Sequence, residues 1–252
     1  MNVLAFIPAR LESKRFPNKV LKSINNIPMI EHVRRRALLS GVFKDVLVVT
    51  NSKLLKKKLK EYKAKVIITK KRHVSGTSRI SEISKNYEFD YGCILFADEP
   101  FINPSKLSIC LKKLRANKKE KVFNLTTDLK LGDLESNQVV KTVKDEKGYI
   151  VNYFRKLNKN NFQKNITKSS GILIFKKDLI DNYNKLKIGK KEKKLNIEQF
   201  KILENNIKIK SIFISNIYPS INTKKEFNNL LSLIYKNKKE VEILERVIKF
   251  ES

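Results

Sequence analysis

The chain runs from an apolar stretch, "NVLAFI" (residues 2–7), directly into "FIPARLESKRFPNK" (residues 6–19). The first part reads as a strand covered on both faces, because its apolar residues follow one another without alternation. The second reads as a loop. Pro8 and Pro17 stiffen it, and Arg10, Lys14, Arg15 and Lys19 place four cations beyond the end of the strand. A loop this basic is either a solvated turn or a grip for an anion. It is no Walker A sequence, since it contains no glycine. An anion here would be held by side chains and backbone N–H groups, with Arg15 and Lys19 on phosphate oxygens.

Outward from this stretch, strand-like runs recur at Val46–Thr50, Val66–Ile68 and Cys93–Ala97. Helical spacing lies between and after them, in "PMIEHVRRRALLSG" from Pro28 to Gly41, "TSRISEISKNY" and "NPSKLSICLKKLRAN". Strand–helix alternation of this kind predicts an α/β fold with a mostly parallel sheet flanked by helices. In such sheets ligands bind beyond the carboxyl ends of the strands. Two further segments sit at such ends: "HVSGTSR" (residues 73–79) and "FADEP" (residues 96–100). Ser75, Gly76 and Thr77 open a helix, either as an ordinary cap or as an anion-binding start with Arg79 one turn on. His73 is either a site residue or a plain loop residue. Asp98 and Glu99 are adjacent carboxylates, so in extended chain only one can face a site. Asp98 is assigned as a Mg²⁺ ligand, with Glu99 bracing the loop.

The second half predicts a hairpin, "QVVKTVKD" and "EKGYIVNYF", turning around Asp145–Gly148. It is followed by a Lys- and Asn-rich loop, a strand at Gly171–Phe175 and a helix after Lys177. "GKKEKKLN" (residues 189–196) reads as a mobile surface loop. A helix at Ile197–Glu204, a strand at Ile207–Ile214 and terminal helices from Thr223 complete a single domain over residues 1–252, with a β-rich insertion at about 135–170. The net charge is +30, from 55 basic against 25 acidic residues. A nucleic-acid-binding protein would gather such charge on one face among aromatics. Here the lysines are scattered and the arginines cluster at loop ends, so no nucleic-acid partner is expected. No apolar run of about 18 residues and no leader-like segment occurs, which predicts no membrane partner and a cytoplasmic protein. His32 and His73 are the only histidines, and Cys93 and Cys110 form no Cys-x-x-Cys pair, which argues against zinc and for reduced, buried thiols.

Together Ile7–Arg10, Ser13 to Lys19, His73 to Arg79 and Asp98 to Pro100 resemble, in order and spacing, the motifs of the CMP-sugar-acid synthetases. They are most similar to those of the 3-deoxy-manno-octulosonate cytidylyltransferase (CMP-Kdo synthetase) family. "NQVVKTVKDEKGYIVNYFRK", with Arg155, "IEQFKILENNIKI", with Glu198 and Gln199, and "SINTKKEF" extend the likeness more thinly over the rest of the chain. The resemblance implies a Rossmann-like nucleotidyltransferase fold, CTP and a small sugar acid as partners, Mg²⁺, and a homodimer formed through the insertion, which also binds sugar. It implies a catalytic role for Arg10, Arg15, Lys19 and Asp98. Nucleotide contacts would come from Pro8, Ala9, Arg10, Ser13, Arg15, Lys19, His73, Ser75, Gly76 and Arg79. Arg155, Ser169, Glu198 and Gln199 would face the sugar. Asp98 and Asn222 would hold the metal.

The chain departs from the family pattern at Asn222, where the family has an acidic metal ligand; an amide offers an oxygen but no charge. Phe96–Ala97, Ser169 and Lys201 replace residues expected around the sugar. The implied reaction joins CMP to Kdo, an intermediate-forming step for lipopolysaccharide. An amino-substituted Kdo or a nonulosonic acid as substrate, and an impaired homologue, stay open.

Overall fold

The structure is a computed structural model that describes residues 1–13, 15–157 and 165–250. Lys14 and most of the Lys- and Asn-rich loop lie outside the described residues. In chain order the elements are β1 (Val3–Ala9), β2 (Ser23–Ile24), β3 (Ile27–Pro28), α1 (Met29–Leu39), β4 (Asp45–Thr50), α2 (Lys53–Lys60), β5 (Val66–Ile68), α3 (Gly76–Ile83), β6 (Tyr91–Ile94), α4 (Pro104–Arg115), β7 (Val122–Thr127), β8 (Lys141–Lys144), β9 (Tyr149–Phe154), β10 (Ile166–Lys176), α5 (Lys177–Asn182), α6 (Lys190–Leu195), α7 (Gln199–Leu203), β11 (Ile209–Phe213), α8 (Lys224–Tyr235) and α9 (Lys238–Ile248).

Nine strands form one sheet in the order β5-β4-β1-β6-β10-β7-β11-β9-β8. Its first four strands are parallel, as the alternating pattern predicts. The expectation of a mostly parallel sheet does not hold beyond them: β10 runs antiparallel to both β6 and β7, and β9 antiparallel to β11, so the sheet is mixed. The cause is connectivity. A parallel return needs a crossover element, and between β7 and β10 the chain supplies the β8–β9 hairpin instead, so β10 enters inverted and also pairs with β8. The predicted turn is there, with the Gly148 N–H on the Asp145 carbonyl.

All seven residues of β1 are buried, and successive side chains leave on opposite faces. Val3, Ala5 and Ile7 join the core beneath α1 and α4; Leu4 and Phe6 join the core beneath α3, α5 and α7. A third cluster unites Phe16, Phe101, Ile221, Leu230 and Leu244, and so pins the basic loop to the C-terminal helices. Cys93 and Cys110 are both free and buried in the first core. Among the described residues no helix is long and apolar enough to cross a membrane.

The "GKKEKKLN" segment is a helix, α6, rather than a mobile loop. The Glu204 carboxylate receives the N–H groups of Lys191 and Glu192, and Asn196 at φ 52° ends the helix. β7 and α2 are elements that the sequence did not reveal.

Candidate active site

The C-terminal ends of β1, β4 and β6 open into a cavity of about 810 Å³. β1 delivers Pro8 and Ala9; the loop after it adds Arg10, Glu12, Ser13, Arg15 and Lys19. Phe16 is anchored in the third core, and Pro17 followed by Asn18 at φ 53° turns the chain so that Lys19 starts a short 3-10 turn. Asn25 and Asn26 also sit at positive φ, in the tight turn between β2 and β3.

Lys19 stitches three segments together. Its Nζ donates to Asp98 Oδ2 at 2.6 Å, the Ile221 carbonyl at 3.0 Å and Asn222 Oδ1 at 3.2 Å. Arg15 donates to the same Asn222 oxygen at 3.2 Å. Asp98 faces the cavity, and its neighbour turns the other way: Glu99 Oε1 accepts the Gly171 N–H at 2.9 Å. Burial, with Asp98 beside it, raises the Glu99 carboxyl to about 8. Gly171 lies at the β10 bulge, and a Cβ there would sit 2.4 Å from Glu99 Oε1, so the contact requires glycine.

A second wall is the start of α3. Ser75 caps it, accepting the Ser78 N–H at 3.1 Å. Gly76 allows the helix to approach β1; a Cβ would meet Pro8 Cγ at 2.9 Å and Phe96 at 3.1 Å. Glu198 Oε2 accepts the Thr77 N–H at 3.4 Å, and burial raises its carboxyl above the usual range. Arg79 is buried beneath the cavity, donating to Asn51 Oδ1 and Thr69 Oγ1 at 3.0 Å each. His73 lines the cavity between Ser78 and Glu82.

Thus the four sequence motifs converge on one cavity, and Glu198, Gln199 and Asn222 join them. Arg155 and Ser169 are not among the cavity's lining residues. The Arg155 guanidinium is spent on the carbonyls of Leu195, Asn137 and Asn196 at 2.9–3.0 Å, at the end of α6. Ser169 donates to Asn124 Oδ1 at 2.8 Å, in a buried network that includes the Tyr153 hydroxyl. The sequence reading missed Glu12, Asn51, Arg72, Val140 and Asn196, all of which line the cavity. Asn51 stands just beyond β4, so the strand-end rule that chose the other motifs would have found it. Arg72 precedes His73 and needed only the same motif read one residue wider.

The cytidylyltransferase family model matches residues 4–209 of the chain. The 3-deoxy-manno-octulosonate cytidylyltransferase of Chlorobium limicola is 30% identical over 237 residues, covering 90% of this chain and 95% of that protein. The enzyme of the same name from Chlorobium phaeovibrioides is 29% identical, covering 94% of this chain and 98% of that one. A solved structure of CMP:2-keto-3-deoxy-manno-octonic acid synthetase complexed with CTP superposes with a TM-score of 0.86 at 26% identity, over 94% of this chain and 99% of that one. The motif order, the cavity at the strand ends and these matches lead to one conclusion: the chain belongs to the cytidylyltransferase family, with the CMP-Kdo synthetases among its relatives.

Proposed function

We propose that the protein transfers CMP from CTP to the anomeric hydroxyl of a 3-deoxy-ulosonic acid, Kdo. A bond forms between that oxygen and the α-phosphorus, the α–β phosphoanhydride bond breaks, and pyrophosphate leaves. The observation that carries this reading is the convergence of Arg10, Arg15 and Lys19 with Asp98 in a single cavity. Catalysis of phosphoryl transfer is mainly positioning and neutralisation of developing charge, which fixed cations supply. Arg15 and Lys19 are oriented by Asn222, so their positive groups are in place before nucleotide arrives. The Ser75–Gly76 turn and His73 take the nucleoside side; Glu198 and Gln199 take the sugar side. Arg155 acts on the sugar side by ordering the Asn196 backbone.

The donor set fits one Mg²⁺. Among the described residues no group of three or more His, Cys, Asp or Glu gathers. One carboxylate with substrate phosphates and water is a sufficient shell for this ion. Asp98 would hold it. The Asn222 oxygen already accepts from two cations, which leaves it a weak second ligand. When bound, Mg²⁺ screens the triphosphate and polarises its oxygens.

Pyrophosphate release from CTP and Mg²⁺ with Kdo, an amino-Kdo and a sialic acid tests the reading. Release with Kdo is the expected result; none with any sugar acid refutes it. A related acid such as an amino-Kdo is the second reading, favoured by Arg155 and Ser169 being occupied outside the cavity lining. The same proposal carries a single domain acting in the cytoplasm. It also takes residues of about 135–170 as the insertion used for sugar binding and homodimerisation. Sedimentation checks the dimer.

A further inference from the structure

His73 has a protein partner at each ring nitrogen. Nδ1 lies 3.0 Å from Ser78 Oγ and Nε2 lies 2.6 Å from Glu82 Oε2. A hydroxyl has one proton to give, and Ser78 gives it to Asn184 Oδ1 at 2.8 Å. The orientation of that amide is set by its other end, since Asn184 Nδ2 donates to the Ser78 carbonyl at 3.0 Å. Ser78 Oγ therefore only accepts from the ring, and Nδ1 carries a proton.

At the other nitrogen the carboxylate also only accepts. Glu82 receives the Lys70 N–H on Oε1 at 2.6 Å and the Lys71 N–H on Oε2 at 3.2 Å, besides the ring. Burial pushes the Glu82 carboxyl up, but these donors and the His73 ring outweigh it and leave it below the usual range. An ionised carboxylate cannot donate, so Nε2 carries a proton as well.

We propose that Glu82 holds the His73 ring with both nitrogens protonated, as a fixed cation on the wall of the cavity, and that Glu82 is its positioning residue. The role at the nucleotide rests on the function proposed above; the protonation does not. His73 then has no free lone pair and takes no part in proton transfer. It offers a bound nucleotide its charge, both N–H groups being held by Ser78 and Glu82. Glu82 also ties the Lys70–Ser75 loop back to α3, so one carboxylate sets both the loop and the ring. Lys70, Lys71 and Arg72 stand on the same loop and Arg79 on α3, and Arg72, Arg79, Glu12 and Glu198 line the same cavity.

The test is ring-¹⁵N NMR on the nucleotide-free protein at neutral pH. The chain has 2 histidines, and His32 is an internal neutral reference, with its titration lowered by burial to about 4. The expected spectrum has one doubly protonated ring and one neutral ring, assigned with H32Q. Two neutral rings in the wild type overturn the proposal. Glu82→Gln keeps the shape but removes the negative charge that holds the second ring proton, and the doubly protonated signal should vanish. Its KM for CTP should rise about tenfold, the loss of a fixed positive charge beside the nucleotide, while kcat falls less. Glu82→Asp should retain the cationic ring. Unchanged ring signals and unchanged KM in E82Q overturn the proposal; an intact cationic ring in a protein that releases no pyrophosphate overturns the function alone.

Discussion

Lys19 meets three oxygens, one from the Asp98 segment and two from Ile221–Asn222, and so ties its own loop to both. Lys19→Met removes a preorganised cation while keeping the length of the side chain. Its kcat/KM for pyrophosphate release should fall by about 10²–10³, the usual loss for one such group. Chemical denaturation would check that the fold is intact. A second residue governs acid stability. His32 Nε2 donates to the Ile24 carbonyl at 2.8 Å. Burial lowers its titration from 6.5 to about 4, against the pull of that carbonyl and aided by Arg36 and Arg35. The folded state therefore takes up this proton later than the unfolded chain. The stabilisation is full above about pH 6.5 and is lost as pH falls toward 4, roughly 3 kcal/mol in all. Urea unfolding at pH 7 and pH 4 should show the wild type losing that much more stability than His32→Gln.

At the scale of the element, α6 shows why a charge run misleads. Within "GKKEKKLN" nothing buries an apolar face, and a local reading returns a loop. The helix forms because Glu204, outside that window, accepts its first free N–H groups, and because Arg155 accommodates the carbonyls at its other end. Glu204→Ala should cost about 1 kcal/mol, as the loss of a helix cap does. Hydrogen exchange should accelerate in residues 190–196 while β1 keeps its protection. β7 shows the complementary failure. Asn124, Thr126 and Thr127 interrupt its apolar pattern, yet all three are buried. Asn124 is satisfied by carbonyls of Ser170 and Ile172 on β10, a neighbour invisible in the strand's own sequence.

Across the whole molecule, the C-terminal helices are tied to the site by a buried ion pair. Arg36 on α1 donates to Glu240 Oε2 on α9 at 3.2 Å and to the Ile102 carbonyl, and it lies over the Phe101 ring at 5.4 Å. Phe101 follows the Asp98–Pro100 segment directly. Glu240→Ala would leave Arg36 charged and buried without its partner. That should cost about 3–5 kcal/mol, read as a lowered unfolding midpoint. CTP with Mg²⁺ should recover part of it by mass action.

The sequence alone was enough to establish the alternating α/β beginning, the four motifs and their convergence on strand ends, because β–α units are local and their loops must emerge at one edge of a parallel sheet. It also carried the family likeness, which lives in those same loops. The tertiary structure decided the rest. It inverted β10, since strand direction depends on what the chain does between strands. It made α6 a helix through Glu204. It took Arg155 and Ser169 out of the cavity lining by giving them carbonyl and amide partners from other elements. It also gave the His73 ring its partners, because Ser78, Glu82 and Asn184 meet only in space.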